Sequence, residues 1–173
     1  APKRVRSKTS VPNQHNWTNN ERVEYDFPAT PYTGGDLKVF WVSGSQRAPK
    51  ELTDLIPKGI KYRFGCLLKG EKGVLLLRHG NSPVLLPAEK YADVTPKKLE
   101  PIGHHDAFID AVLDGNRERL LSPIDYAAPM TEFILLGNIA MQHSPHWLDW
   151  DAKQAVITNH KDANRNIHRT YRT

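Results

Sequence analysis

Two adjacent histidines followed by an aspartate, His104-His105-Asp106, form the densest polar cluster in this chain of 173 residues. Imidazole and carboxylate groups are common carriers of proton transfer near neutral pH. At the start of an amphipathic run they suit either the lining of a polar cleft or the capping and packing of a helix start. A metal centre would need further ligands, because adjacent helical side chains diverge. His143-x-x-His146 has a ligand-like spacing, but Ser144-Pro145 between them reads as a surface loop, and no cysteine lies nearby. No metal site is expected. Trp41, Trp147 and Trp150 offer another chemistry: aromatic faces stack on the C–H groups of sugars, and tryptophan also fills cores and interfaces. Trp41, between Phe40 and Val42, is the best placed of the three for a sheet face. Asp125 and Glu132 share one helical stretch. A carboxylate pair for acid–base work would need a facing partner, and Asp125 suits a helix N-cap. Asn16-Trp17-Thr18 matches a glycosylation acceptor without any sign of secretion.

Nucleotide chemistry has no foothold in the sequence. No strand–GxGxxG–helix run and no Walker loop is present. Gly70-x-x-Gly73 sits between two strand-like segments and reads as a hairpin turn.

The elements that must position these groups change character midway. Residues 1–20 are polar and read as an extended arm or edge strand. Glu21 to Phe27 alternates, with Val23, Tyr25 and Phe27 on one face and Arg22, Glu24 and Asp26 on the other. Further strands are expected over Leu37–Val42, Lys61–Lys69, Val74–Arg78 and Val84–Leu86, with a short helix near Glu51–Leu55. From His104 the period becomes helical. One helix runs to Asp114, with Gly115 as its C-cap. Another runs from Asp125 to about His143, with Pro129 in its first turn. Gly137 is costly in mid-helix and marks a close approach to another element. A small hairpin over 147–158 and a last helix over 162–171 follow. Strands mainly over 21–86 and helices mainly over 104–143 and 162–171 predict an α+β fold: an open, largely antiparallel sheet with helices packed on one face.

Length suits a single domain, residues 21–173, behind the arm, and a chain this long buries roughly 70% of its unfolded surface without a disulfide or metal staple. Net charge is +5, and Lys3, Arg4, Arg6 and Lys8 crowd the first eight residues. Such a terminus is a solvated arm or a contact for phosphate, nucleic acid or an acidic partner. Cys66 is the only cysteine, which excludes an internal disulfide; beside Phe64, Leu67 and Leu68 it reads as a buried strand thiol compatible with the cytoplasm. No run is apolar enough to span a bilayer, and no signal peptide begins at Ala1.

The second half, read as a string, resembles the C-terminal end of one branch of the Gfo/Idh/MocA family of nicotinamide-dependent oxidoreductases. Gly103-His-His-Asp-Ala-Phe-Ile-Asp-Ala111 is similar to that branch's Gly-His-His helix start. Asp125-Tyr-Ala-x-Pro-x-Thr-Glu132, Leu136-Gly-Asn-Ile-Ala140 and Leu148-x-Trp-Asp151 resemble its next helix and strand. Thr158-Asn159, Ala163-Asn164 and Arg169-x-Tyr-Arg172 resemble its ending. Upstream, Tyr25-Asp-Phe-Pro28, Leu37-x-Val-x-Trp41 and Gly70-Glu-Lys-Gly-Val-Leu75 fit more loosely.

The resemblance implies half of a two-domain enzyme. A Rossmann domain upstream of Ala1 would bind NAD or NADP. This chain would shape the site for a sugar, polyol or derivative, and would build a homo-oligomer through its sheet. The family's Glu-Lys-Pro motif is missing: Glu71-Lys72 precedes Gly73, and Glu89-Lys90 precedes Tyr91. Its Asp-x-x-x-His-type element is also missing. No catalytic, cofactor-binding or metal-binding residue is therefore carried over, and the chain alone is expected to be inactive. His104, His105 and Trp41 are the candidates for the substrate cleft. Neither nucleic acid nor membrane is an expected partner. The expected compartment is the cytoplasm, or the periplasm if a leader precedes Ala1. In the isolated domain, the sheet face used for assembly is expected to expose an apolar patch. The competing expectation is a stand-alone carbohydrate- or polyanion-binding module without catalysis.

Overall fold

A computed structural model of the chain describes residues 1–9, 12, 18–60, 65–95, 97 and 102–168. Asn16 and Trp17 of the acceptor triplet, the start of the expected strand at 61–64 and the closing run 169–172 lie outside the described residues. In chain order the elements are β1 (Arg4–Ser7), β2 (Arg22–Phe27), β3 (Leu37–Val42), α1 (Lys50–Thr53), β4 (Gly65–Lys69), β5 (Val74–Arg78), β6 (Val84–Leu86), α2 (His104–Asp114), α3 (Ile124–Gln142), β7 (Leu148–Asp151) and β8 (Val156–Ile157). The fold is α+β, with open antiparallel sheets of five and three strands. The chain divides into two compact units, residues 1–47 with 102–173 and residues 48–101.

The first unit holds the five-stranded sheet, in the order β3-β2-β1-β7-β8. β1 lies at its centre, flanked by β2 and β7, rather than forming an arm or edge strand. Its cations do not float in solvent. Strict alternation turns Val5 and Ser7 to one face, where both are fully buried, and Arg4 and Arg6 to the other. Val23 and Tyr25 of β2 join the first face, as does Leu148 of β7. α3 lies across β1 and β2 there, burying Leu136, Ala140 and Met141 against Val5, Val23, Tyr25, Leu148 and Ile157. Phe133 meets Tyr25 and Phe27 edge-on, at centroid distances of 5.4 and 5.6 Å, a favoured aromatic geometry. Gly137 is where the helix comes closest: a Cβ there would stand 2.2 Å from the Tyr25 hydroxyl oxygen.

α3 begins two residues earlier than a cap at Asp125 would set it. Pro123 is its N-cap, so Asp125 falls in the first turn and Pro129 in the second. The Asp125 carboxylate accepts from Arg117 instead of capping the helix. α2 ends as expected, on Gly115 with φ +65°. The last segment winds as a 3-10 helix over Lys161–Asn166, shorter than the helix read from the sequence.

The open face of the same sheet is layered with charge. Arg4 pairs with Asp26 at 2.7 Å, and Arg6, Lys8 and Arg22 surround Glu24 at 2.6, 3.3 and 3.0 Å. The Arg4 and Arg6 guanidinium groups both lie over the Trp147 ring, 4.3 and 4.4 Å from its centroid. Besides Leu37 and Trp41 on β3, the large exposed apolar residues of this unit include Phe108, Ile109, Val112 and Leu113 on α2 and Ile124, Met130, Ile134 and Leu135 on α3. The exposed apolar surface of this unit therefore lies on the helices and at β3, not on the charged open face.

The second unit contains α1 and the meander β4-β5-β6. Val74, Leu76 and Leu86 are buried on one face. Cys66 stands opposite Leu77 on the other and is exposed, correcting the expected buried thiol. Gly70 N–H donates to Gly73 C=O at 2.9 Å across the hairpin turn.

Candidate substrate cleft

Two hollows of the first unit, among its described residues, are lined by candidate groups. The smaller, of about 470 Å³, sits at the start of α2 and is lined by His104, His105, Phe108, Leu120, Leu121 and Ser122. Gly103 occupies the N-cap in an extended conformation, so no N-cap side chain closes the helix end. Their ring centroids are 4.1 Å apart, with a tilt of 42°. Asp106 folds back toward Gly103, in the first turn where a carboxylate favours the helix dipole. Two imidazoles and a serine hydroxyl beside an apolar wall can donate to and accept from ligand hydroxyls or a carbonyl. Further along α2, Arg119 lies 3.6 and 3.3 Å from Asp110 and Asp114.

The larger hollow, about 690 Å³, runs along α3. Trp150 Nε1 donates to Glu132 Oε1 at 2.7 Å in its wall, and Asn138, Gln142 and Asn166 add amide groups. Its volume is within the usual range for small-molecule sites. Glu132 is thus engaged by an indole, while Asp125 is engaged by Arg117; the two do not form a catalytic carboxylate pair.

Of the three sequence candidates, His104 and His105 come together in one cleft. Trp41 does not line it: exposed on β3, it donates from Nε1 to Glu21 Oε1 at 3.2 Å. The three tryptophans form no common platform, since Trp147 lies under the arginines and Trp150 beside α3. His143 and His146 gain a third neighbour that spacing could not reveal. His160 lies 4.7 Å from the His143 ring and 5.6 Å from that of His146. Even so, among the described residues no three His, Cys, Asp or Glu side chains are arranged to hold a metal ion. The Glu132–Trp150 contact was likewise invisible in the sequence, because residues eighteen apart on a helix and a strand share no local pattern.

Charge and burial set the titration of two groups on β2. Burial opposes ionisation of Glu24, but hydrogen bonds from Arg6 and Lys8 outweigh it and hold the carboxyl below the usual carboxylate range. Burial, with the nearby Glu21 charge adding to it, pushes the Tyr25 phenol well above its usual value, so it stays neutral.

The paired strands are antiparallel, whereas dinucleotide sites use a glycine loop from a strand into a helix N-terminus. The Gly70–Gly73 turn is closed by Tyr91, whose hydroxyl donates to Lys72 C=O at 2.5 Å and would sit 2.6 Å from a Cβ on Gly73. Among the described residues no helix is long and apolar enough to cross a membrane. Compared with protein-family models and with curated proteins, the chain matches none.

Proposed function

We propose that this chain is the substrate-site and assembly domain of an NAD(P)-dependent oxidoreductase of the Gfo/Idh/MocA type, acting on a sugar, polyol or derivative. A Rossmann domain outside this chain would bind the cofactor, and hydride would move between a substrate carbon and the nicotinamide. The observation that carries the proposal is a coincidence of motif and place. The Gly103-His104-His105 run, where the family resemblance is specific, is the helix start whose imidazoles line the smaller cleft. In that site His104 and His105 would hydrogen-bond substrate hydroxyls, and Phe108 and Leu121 would flank its apolar edge. An antiparallel sheet with a helix across one face is compatible with this role. The lone Cys66 suits a reducing compartment, so residence in the cytoplasm is part of the proposal.

Intact mass and N-terminal sequence of the native polypeptide test it. The expected result is a polypeptide longer by about 100–150 residues, the size of one domain, that reduces NAD or NADP with at least one polyol. His104→Ala or His105→Ala should then raise KM about tenfold, as loss of a ground-state contact does. A native chain that begins at Ala1 and shows no such activity overturns the proposal.

A binding module without catalysis is the second reading, favoured by the larger groove with Trp150, Glu132 and three amides. Glycan binding by this chain alone would support it. Its polyanion version is weakened by the basic residues themselves. Lys3 pairs with Asp36, Arg4 with Asp26, and Arg6 and Lys8 with Glu24.

A further inference from the structure

The five-stranded sheet finishes its two edges differently. β8 is two residues long, and its outward backbone is closed by one side chain. Thr158 N–H donates to Asp149 C=O, which turns the amide groups of Ile157 away from β7. Asn164 meets them there: Ile157 N–H donates to Oδ1 at 2.8 Å, and Asn164 Nδ2 donates to Ile157 C=O at 2.8 Å. No partner strand can add at that position without displacing Asn164.

β3 has no such closure. It is six residues long, Leu37-Lys38-Val39-Phe40-Trp41-Val42, with neither proline nor glycine. Ser43 N–H donates to Glu21 C=O at 2.9 Å, which marks 21 and 43 as a hydrogen-bonded pair. Alternation along the ladder then turns the backbone of Leu37, Val39 and Trp41 toward β2. It turns the N–H and C=O groups of Lys38, Phe40 and Val42 outward. Among the described residues no backbone or side-chain group bonds them. Trp41 and Leu37 beside this edge are 52% and 44% exposed. Natural sheets blunt their edges with short strands, proline, bulges or charge, and β3 has only Lys38.

We propose that β3 is the docking edge for a second copy of this chain. The two β3 strands pair antiparallel about a two-fold axis at Phe40 and join two sheets edge to edge. This rests on the assembly role proposed above and names the surface. The register follows from geometry. A two-fold axis perpendicular to a continuous sheet pairs residues of the same face, and only even-numbered residues present outward groups. With Phe40 on the axis, Phe40 meets the partner's Phe40, and Lys38 meets the partner's Val42. Every outward N–H and C=O of both strands then has a counterpart, so the strand is complementary to itself over its own length. Val39 comes opposite the partner's Trp41 and covers the exposed indole. Lys38 faces no second lysine, so like charges are not opposed. A register centred on Val39 would instead set Val42 against the partner's Asp36, outside the strand.

Sedimentation velocity of the whole chain tests this, with variants that touch only outward groups. Phe40→Pro removes an outward N–H and takes no bond from the β2–β3 ladder, a position an edge strand tolerates. Val42→Pro does the same at the strand end and guards against local misfolding at Phe40. The unaltered chain should dimerise, and each proline variant should weaken the dimer at least tenfold with an unchanged far-UV circular dichroism spectrum. In a Cys66→Ser background, Phe40→Cys should form an oxidised dimer. Directly opposed hydrogen-bonded residues have Cα atoms about 5.5 Å apart, within disulfide reach. Trp41→Cys, which faces the partner's Val39, should not crosslink. A dimer that survives both proline changes overturns the β3 edge and leaves the assembly role standing. A chain that stays monomeric at every concentration, with the Phe40 amide protected from hydrogen exchange, overturns both.

Discussion

The two faces of the five-stranded sheet are written in the same strands, residue by residue, and they are held by different physics. Val5, Val23, Tyr25 and Leu148 point to α3 and form a dry core. Arg4, Arg6, Glu24 and Asp26, their immediate neighbours in sequence, point the other way and form layers of ion pairs over Trp147. The first face gains from removing apolar surface from water, an effect that does not rest on charge and so neither titrates with pH nor is screened by salt. The second depends on charge states and is open to both. Burial alone therefore does not tell the faces apart: Glu24 is 6% exposed and Tyr25 3%. What surrounds each side chain does.

The sharpest test changes two adjacent residues of β7. Leu148 is fully buried on the helix face, while Asp149 next to it faces outward without an ion-pair partner among the described residues. Leu148→Ala should lower stability by about 2–5 kcal/mol, the usual range for a buried leucine. Asp149→Ala should change it by no more than about 0.5 kcal/mol. Chemical denaturation of the two variants at neutral pH measures both. Equal losses would mean that the outer face is as tightly packed as the inner one.

That contrast was partly legible in the chain. Val23, Tyr25 and Phe27 alternate with Arg22, Glu24 and Asp26 so cleanly that both faces of β2 could be assigned from the sequence. β1 could not be read so easily. Its two arginines look solvated until Asp26 and Glu24, some twenty residues away, supply their partners and Trp147 supplies a surface to lie on. Local composition holds no record of such distant neighbours. Cys66 misled for a related reason, since leucines beside it in sequence do not fix which face of the hairpin is covered. For the candidate cleft, the helix start at His104 and its paired imidazoles were readable. Leu120, Leu121 and Ser122, which complete the wall, come from the turn after the helix and carried no signal.

A second test addresses the closest contact on the dry face. Gly137→Ala places a methyl group against the Tyr25 hydroxyl and should cost about 1–3 kcal/mol by overpacking. Tyr25→Phe removes the clashing atom, leaving the ring carbon 3.3 Å from the new Cβ. In that background Gly137→Ala should be close to neutral, because alanine also favours the helix by about 1 kcal/mol over glycine. Thermal unfolding of the two single variants and the double variant gives the coupling. Additive losses would show that the helix, not the hydroxyl, limits the approach.

The test that separates the faces by mechanism is Glu24→Gln. The change keeps the shape of the side chain but removes the charge that Arg6, Lys8 and Arg22 share. The loss at pH 7 should be about 1–2 kcal/mol, since bonds to charged groups are strong but these cations remain partly exposed to solvent. Its pH dependence has a definite sign. The folded carboxyl is held below its ordinary value, so its contribution is fully present above the unfolded pKa of about 4.3 and disappears as pH falls through the folded value. The stability gap between the parent chain and Glu24→Gln should therefore close between neutral pH and strong acid. Leu148→Ala has no titrating group to lose, and its gap should stay constant over the same range. Denaturation curves at several pH values compare the two directly. A Glu24→Gln gap that does not narrow in acid would mean that shape, rather than charge, holds the outer face together.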